Sequence, residues 1–220
     1  LLCPVASAQE WSQDHPRPGI TVLRDDTGAW GGFSMGVAHI RDETYQVRKT
    51  LDLGALHEGA LLRAKAARLR LYFAIQDYSW NMGDKTPNGL NEAFEVVVNG
   101  NALRFETKDP RFPAKAKQTD PLRADWVDVD VPLEWLKPGE LTVLVRKLPG
   151  GKGDDYVYPG IDNSVRHGNS ATSFDGGKTW REDKLNTIDA QGEFMIRLVL
   201  SEVDLHARAT WELPDRIEDP

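Results

Sequence analysis

A single cysteine, Cys3, supplies all the thiol chemistry in 220 residues. One thiol excludes an intrachain disulfide framework and any cysteine-built zinc site. Histidine is also sparse: His15, His39, His57, His167 and His206 are scattered without metal-ligand spacing. Basic charge is short, since 27 Lys and Arg against 34 Asp and Glu leave a net charge of −7. A general DNA- or RNA-binding surface needs a concentrated basic stripe, so no nucleic-acid partner is expected. No apolar run approaches the roughly 20 residues that cross a bilayer, so no membrane span is expected. His-Glu-x-x-His, Gly-x-Ser-x-Gly and Walker-type loops are absent as well, which removes the commonest readable catalytic motifs. No internal repeat is visible, against a propeller or solenoid.

What the chain has is alternation. Leu69, Leu71, Phe73 and Ile75 share one parity, with Arg68, Arg70, Tyr72 and Gln76 on the other. Phe94, Val96 and Val98 repeat the pattern, as do Val127, Val129 and Val131, then Leu141, Val143 and Val145. These are half-buried strands. Phe194 to Leu200 is apolar on nearly both faces, as a central strand covered on two sides would be. Asn99-Gly100, between Phe94–Val98 and Ala102–Phe105, predicts a tight hairpin. Gly59 to Arg68 has helix propensity, and Pro132 to Leu136 suits a single turn. Many short strands separated by Gly/Pro turns predict an all-β domain, a β-sandwich or jelly roll.

Both ends differ from the middle. Leu1 to Ala8 is apolar and closes on Ala6-Ser7-Ala8, the small-residue pattern of a signal-peptidase site. Residues 1–8 thus read as a signal remnant, and a secreted or periplasmic bacterial protein is expected. A lipid anchor at Cys3 fits less well, because Leu2 is bulky. Residues 9–202 carry the strand pattern. Residues 203–220 lose it and end polar and Pro-punctuated, as a C-terminal extension or linker to another domain would.

Two resemblances follow from short segments. Pro132-Leu133-Glu134-Trp135-Leu136-Lys137-Pro138-Gly139-Glu140 leading into Leu141–Val145, together with the Val98-Asn99-Gly100 turn, is similar to passages of galactose-binding-like jelly rolls. That resemblance implies a carbohydrate-binding module or an accessory domain of a glycoside hydrolase. It further implies a poly- or oligosaccharide ligand and a covalently linked catalytic domain. Ser173-Phe174-Asp175-Gly176-Gly177-Lys178-Thr179-Trp180 resembles the Asp-box, Ser-x-Asp-x-Gly-x-Thr-Trp, at every position. Asp boxes recur in secreted carbohydrate-active proteins. Ser173, Asp175, Gly177 and Trp180 are therefore expected to staple a turn rather than catalyse.

Sugar binding asks for an exposed aromatic to stack on a pyranose, with amides and carboxylates for its hydroxyls. The stretch from Gln76 to Gly89 has that chemistry in Asp77, Tyr78, Trp80, Asn81 and Asn88. A second group, Tyr156 and Tyr158, sits on one side of a short strand beside Asp154, Asp155 and Asp162. Galactose-binding-like modules often hold a structural Ca²⁺, and the resemblance makes Asp154, Asp155 and Asp162 its candidate ligands. The competing readings are a jelly-roll lyase or hydrolase and a spacer without ligand. A lyase would gather polar groups on one sheet face, where Arg70, Tyr72 and Gln76 come closest. No catalytic residue is nominated.

Overall fold

The computed structural model describes residues 12–14, 18–29, 38–56, 59–82 and 88–203. The signal remnant (1–8) and all of the C-terminal extension but Val203 lie outside the described residues.

The alternating segments become two antiparallel sheets, with strands numbered in chain order. One sheet runs β1 (Ser12–Asp14), β2 (Ile20–Arg24), β14 (Ile196–Ser201), β4 (Ala66–Asp77), β10 (Asp155–Pro159). The long β4 also pairs with β8 (Asp125–Val131) and, in parallel, with the short β7 (Ala114–Lys115). The other sheet runs β12 (Ser170–Ser173), β3 (Gln46–Asp52), β9 (Glu140–Lys147), β5 (Ala93–Val98), β6 (Asn101–Glu106). A small ribbon pairs β11 (Ile161–Asp162) with β13 (Glu193–Phe194).

The apolar parity of each strand faces one shared core. Leu69, Leu71, Phe73 and Ile75 of β4 meet Phe94, Val96, Leu141, Val143 and Val145 of the opposite sheet, every one of them fully buried. This is a β-sandwich, held by apolar burial between two pleated faces. β14 lies between β2 and β4 and is covered on both sides, as its composition predicts. Leu198 joins the shared core, while Val199 packs with Ile20 and Val22 on the outer face.

The Asn99-Gly100 turn forms as expected, with φ of 47° and 84° and Val98 opposite Asn101. Both residues take the left-handed region, as a type I′ turn requires. Asn99 also ties this hairpin to the next passage. Its Nδ2 donates to the Trp135 carbonyl and its Oδ1 accepts from the Thr142 amide, each at 2.9 Å. Trp135 is the last residue of the 3₁₀ turn Leu133–Trp135, the single turn that the sequence predicts.

The helix expected over Gly59–Arg68 is corrected. Only Ala60–Arg63 is helical, and β4 begins at Ala66. One turn of helix is weak alone, and Leu62 gains nothing from it at 91% exposure. Pairing of Ala66 and Ala67 with Ser201 and Leu200 takes the rest of the segment into the sheet.

Candidate functional site

The site grows from the pairing of β4 with β10, where Asp77 lies opposite Asp155, Gln76 opposite Tyr156 and Ala74 opposite Tyr158. Alternation turns Val157 to the core and sends Tyr156 and Tyr158 off the outer face. Ala74, small and fully buried, leaves room for both rings. Just beyond the end of β4, Tyr78 stacks on Tyr156 with centroids 4.6 Å apart and planes 13° from parallel. Trp80, in the 3₁₀ turn Ser79–Met82, lies 5.8 Å from Tyr78, and the Lys115 ammonium sits 4.8 Å over the indole. His39 meets Tyr158 edge-on at 4.9 Å. The result is a continuous aromatic row, Trp80–Tyr78–Tyr156–Tyr158, closed at one end by an imidazole.

The row is graded in exposure. Tyr78 and Trp80 are half-buried, Tyr156 is 9% exposed and Tyr158 4%. Tyr158 is thus floor rather than contact surface. Its hydroxyl donates to Gln76 Oε1 at 3.2 Å, and burial pushes its pKa far above the ordinary phenol value. Burial, and then the Arg41 charge, lower the pKa of His39, which keeps the ring neutral at pH 7. The Trp80 indole N–H is buried, with no hydrogen-bond partner among the described residues.

Asp77 and Asn88, expected to face a sugar, are engaged by neighbouring protein groups. Asp77 Oδ1 accepts from the Ser79 amide and hydroxyl at 2.9 and 2.5 Å, and Oδ2 from the Gly89 amide at 2.9 Å. Asn88 Nδ2 donates to both oxygens of Asp154, at 3.2 and 3.0 Å. Asp155 Oδ2 accepts from the Asn91 and Glu92 amides and, at 2.6 Å, from the Thr107 hydroxyl. Among the described residues, Asp155 Oδ1 has no hydrogen-bond partner, and neither has Asn88 Oδ1. Asp77, Asp154 and Asp155 are all buried, and the oxygens they offer lie within 4.8 Å of one another. Burial raises the pKa of Asp155 against the hydrogen bonds from Thr107 and the two amides. The side chain of Asn81 lies outside the described residues.

Asp162, expected to join Asp154 and Asp155, stands apart from them. Asp162 lies beyond the far end of β10, in the small ribbon. It accepts from the Thr27 amide and hydroxyl, both at 2.6 Å, and from the Ser164 amide and hydroxyl. Burial pushes its pKa up, but the Ser164 and Thr27 bonds outweigh that and hold it below the usual range. Asp77 takes its place beside Asp154 and Asp155. Only strand register reveals that, because Asp77 and Asp155 are 78 positions apart in the sequence and directly opposed in the sheet.

The Ser173–Trp180 segment is a closed loop. Asp175 Oδ1 accepts from the Ser173 hydroxyl and the Lys178 and Thr179 amides, and Oδ2 from the Thr179 hydroxyl at 2.7 Å. Thr179, then Ser173, hold the Asp175 pKa down to about 2. Gly177, at φ 86°, donates its amide to Ser173 Oγ at 2.8 Å. Thr172 and Arg181 exchange backbone hydrogen bonds across the loop's base. Trp180 is half-buried under the Arg48 guanidinium, 4.7 Å from its ring.

Arg70, Tyr72 and Gln76 do share one face of β4. Arg70 and Tyr72 pack on Trp126, Arg70 at 5.6 Å over its ring, and Gln76 is engaged by Tyr158. The sequence reading missed the buried ion groups, two of which are built on lysine. Lys49 contacts Asp25 at 2.5 Å and Glu193 at 2.7 Å, and Lys147 pairs with Glu92. A signal for both was present, since each lysine stands at the apolar parity of its strand. Compared with protein-family models and with curated proteins, the chain matches none of either.

Proposed function

We propose that this protein is a secreted, non-catalytic carbohydrate-binding or accessory module of the galactose-binding-like jelly-roll type, working alongside a polysaccharide-degrading catalytic domain. The observation that carries this reading is the aromatic row at the β4–β10 edge, half-open at Tyr78 and Trp80 and flanked by Lys115. Flat, rigid rings at a sheet edge suit the CH face of a pyranose, at little conformational cost on binding. Tyr156 and Tyr158 underlie the rings that would touch sugar. The small-residue pattern at Ala6-Ser7-Ala8 supports export.

Affinity electrophoresis against a panel of plant and algal polysaccharides tests the reading. Wild type should be retarded by at least one glycan, and Trp80→Ala should weaken that binding by about 1–2 kcal/mol at matched melting temperature, by analogy with stacking of flat ligands on aromatics. If no glycan retards the wild type, the domain is a spacer. If Trp80→Ala unfolds it, the indole is a structural cap.

A further inference from the structure

We propose that Lys49 and Asp25 close an intramolecular isopeptide bond, Nζ to Cγ, with Glu193 as the proton carrier, so that the domain cross-links its own two sheets. This inference is independent of the glycan reading and uses none of its residues. The three side chains come from three elements: Lys49 from β3, Asp25 from the residue after β2, and Glu193 from β13. β2 and β3 belong to opposite sheets. Lys49 Nζ lies 2.5 Å from Asp25 Oδ2 and 2.7 Å from Glu193 Oε2, and the three side chains are 0%, 1% and 0% exposed. An amine, a carboxyl to attack and a second carboxylate to move protons, in contact and out of water, are the groups that amide formation needs.

The hydrogen bonds set the direction of attack. Lys49 Nζ donates to Asp25 Oδ2, to Glu193 Oε2 and, at 3.2 Å, to Ser170 Oγ. Ser170 Oγ is itself fixed, accepting from the Phe194 amide at 2.8 Å and donating to Glu193 Oε2 at 2.6 Å. Glu193 Oε1 accepts from the His167 and Gly168 amides at 2.6 and 2.9 Å, and Asn169 Nδ2 donates to Asp25 Oδ2 at 2.9 Å. Burial disfavours the charged forms of amine and acid together. Passing one proton from Nζ along its contact to Oδ2 neutralises both. The two remaining N–H bonds stay on Glu193 and Ser170, and the lone pair left behind points at the Asp25 carboxyl. Burial raises the pKa of Asp25 towards that neutral acid. Burial pushes Glu193 up as well, but Lys49 and Ser170 outweigh it and keep a carboxylate that can take a proton.

The step balances without a co-reactant. Nζ attacks Cγ and the N–C bond forms. Glu193 takes the surplus proton from nitrogen and returns it to the departing carboxyl hydroxyl. That C–O bond breaks, water leaves, and the products are a secondary amide and an unchanged Glu193. In water such a condensation is opposed by ionisation of both partners and by the solvent itself. A dry site that holds the reactants in contact removes both obstacles and supplies a high effective concentration. The bond ties residue 25 to residue 49 across the sandwich, in a chain whose single cysteine excludes an intrachain disulfide.

Mass spectrometry of the full chain, purified and incubated at neutral pH, tests the bond. Wild type should weigh one water less than its sequence, and a tryptic digest should contain a branched peptide joining the Asp25 and Lys49 segments. Lys49→Arg, which keeps the charge but presents no attacking amine, should show the full sequence mass. Glu193→Gln, which cannot take the proton, should close about a hundredfold more slowly or not at all. Wild type at full sequence mass, with its Asp25 and Lys49 peptides separate, overturns the bond. A lost water without the branched peptide overturns it too, because an aspartate can dehydrate against its own backbone. Closure of Glu193→Gln at the wild-type rate overturns the role of Glu193. If neither variant folds, the presence or absence of the branched peptide in wild type decides alone.

Discussion

Single side chains in this domain act mostly by holding backbone in place, and Asp175 shows how. Its carboxylate accepts from two amides and two hydroxyls, which hold the pKa at about 2 against an ordinary 3.8. Such a group binds its proton less tightly in the folded than in the unfolded chain. Its contribution is therefore complete above the unfolded pKa and is lost as pH falls through the folded one. Asp175→Asn should lower the melting temperature at about pH 7, and the gap from wild type should narrow as pH drops from about 4 towards 2. A gap that stays constant with pH would mean that the charge of Asp175 plays no part. Trp180 is the other end of the same loop. A fully buried indole replaced by alanine costs about 3–5 kcal/mol, but this one is half-exposed beneath Arg48. Urea denaturation of Trp180→Ala should show a loss of about 1–2 kcal/mol, and a loss above about 3 would place the ring in the core.

Elements were legible where a local rule decides them. The 99–100 hairpin, the 133–135 turn and the strand containing Leu69 to Ile75 all follow from turn chemistry or alternation. Asn99 shows how much one such residue carries, because its amide bridges Trp135 and Thr142 as well as making the turn. Asn99→Ala should cost about 1–3 kcal/mol by urea denaturation, since it leaves the Trp135 carbonyl and the Thr142 amide to find water. Asn99→Gly, which suits the turn but loses both bonds, should recover little of that. What sequence could not supply is pairing across long separations. The carboxylates of Asp77, Asp154 and Asp155 come from the end of β4 and the start of β10, and no local pattern sets residue 77 beside residue 155. The same blindness placed Asp162 with Asp154 and Asp155 by proximity along the chain, although seven extended residues carry it to the far end of β10. The aromatic half of the site was more accessible, because Tyr78 with Trp80 and Tyr156 with Tyr158 are each two positions apart. Their stacking into one row again depended on register.

The whole molecule is clamped as well as packed. Lys49 and Lys147 occupy core-facing positions on β3 and β9, where alternation calls for apolar residues, and both are buried at 0% and 2% exposure. Each reaches across to the other sheet. Lys49 contacts Asp25 just after β2 and Glu193 of β13, while Lys147 donates to the Asp155 carbonyl of β10 at 2.9 Å. A buried ion cluster adds little net stability over an apolar replacement, but removing one partner strands the other charges. Burial already raises the pKa of Asp25 despite Lys49, whereas for Glu193 the attraction of Lys49 and the Ser170 hydroxyl outweighs burial and lowers it. Without the lysine, both carboxylates would be pushed upwards and the folded state would take up protons. A group whose pKa is raised on folding loses its stabilising contribution as pH rises through the folded value. Lys49→Met should therefore cost about 3–5 kcal/mol at about pH 7 and markedly less near pH 5, measured by urea denaturation of wild type and variant at both values. An equal loss at the two pH values would show that lost packing, rather than stranded charge, is what the substitution costs. A loss below about 1 kcal/mol at neutral pH would show that the two sheets hold together without the clamp.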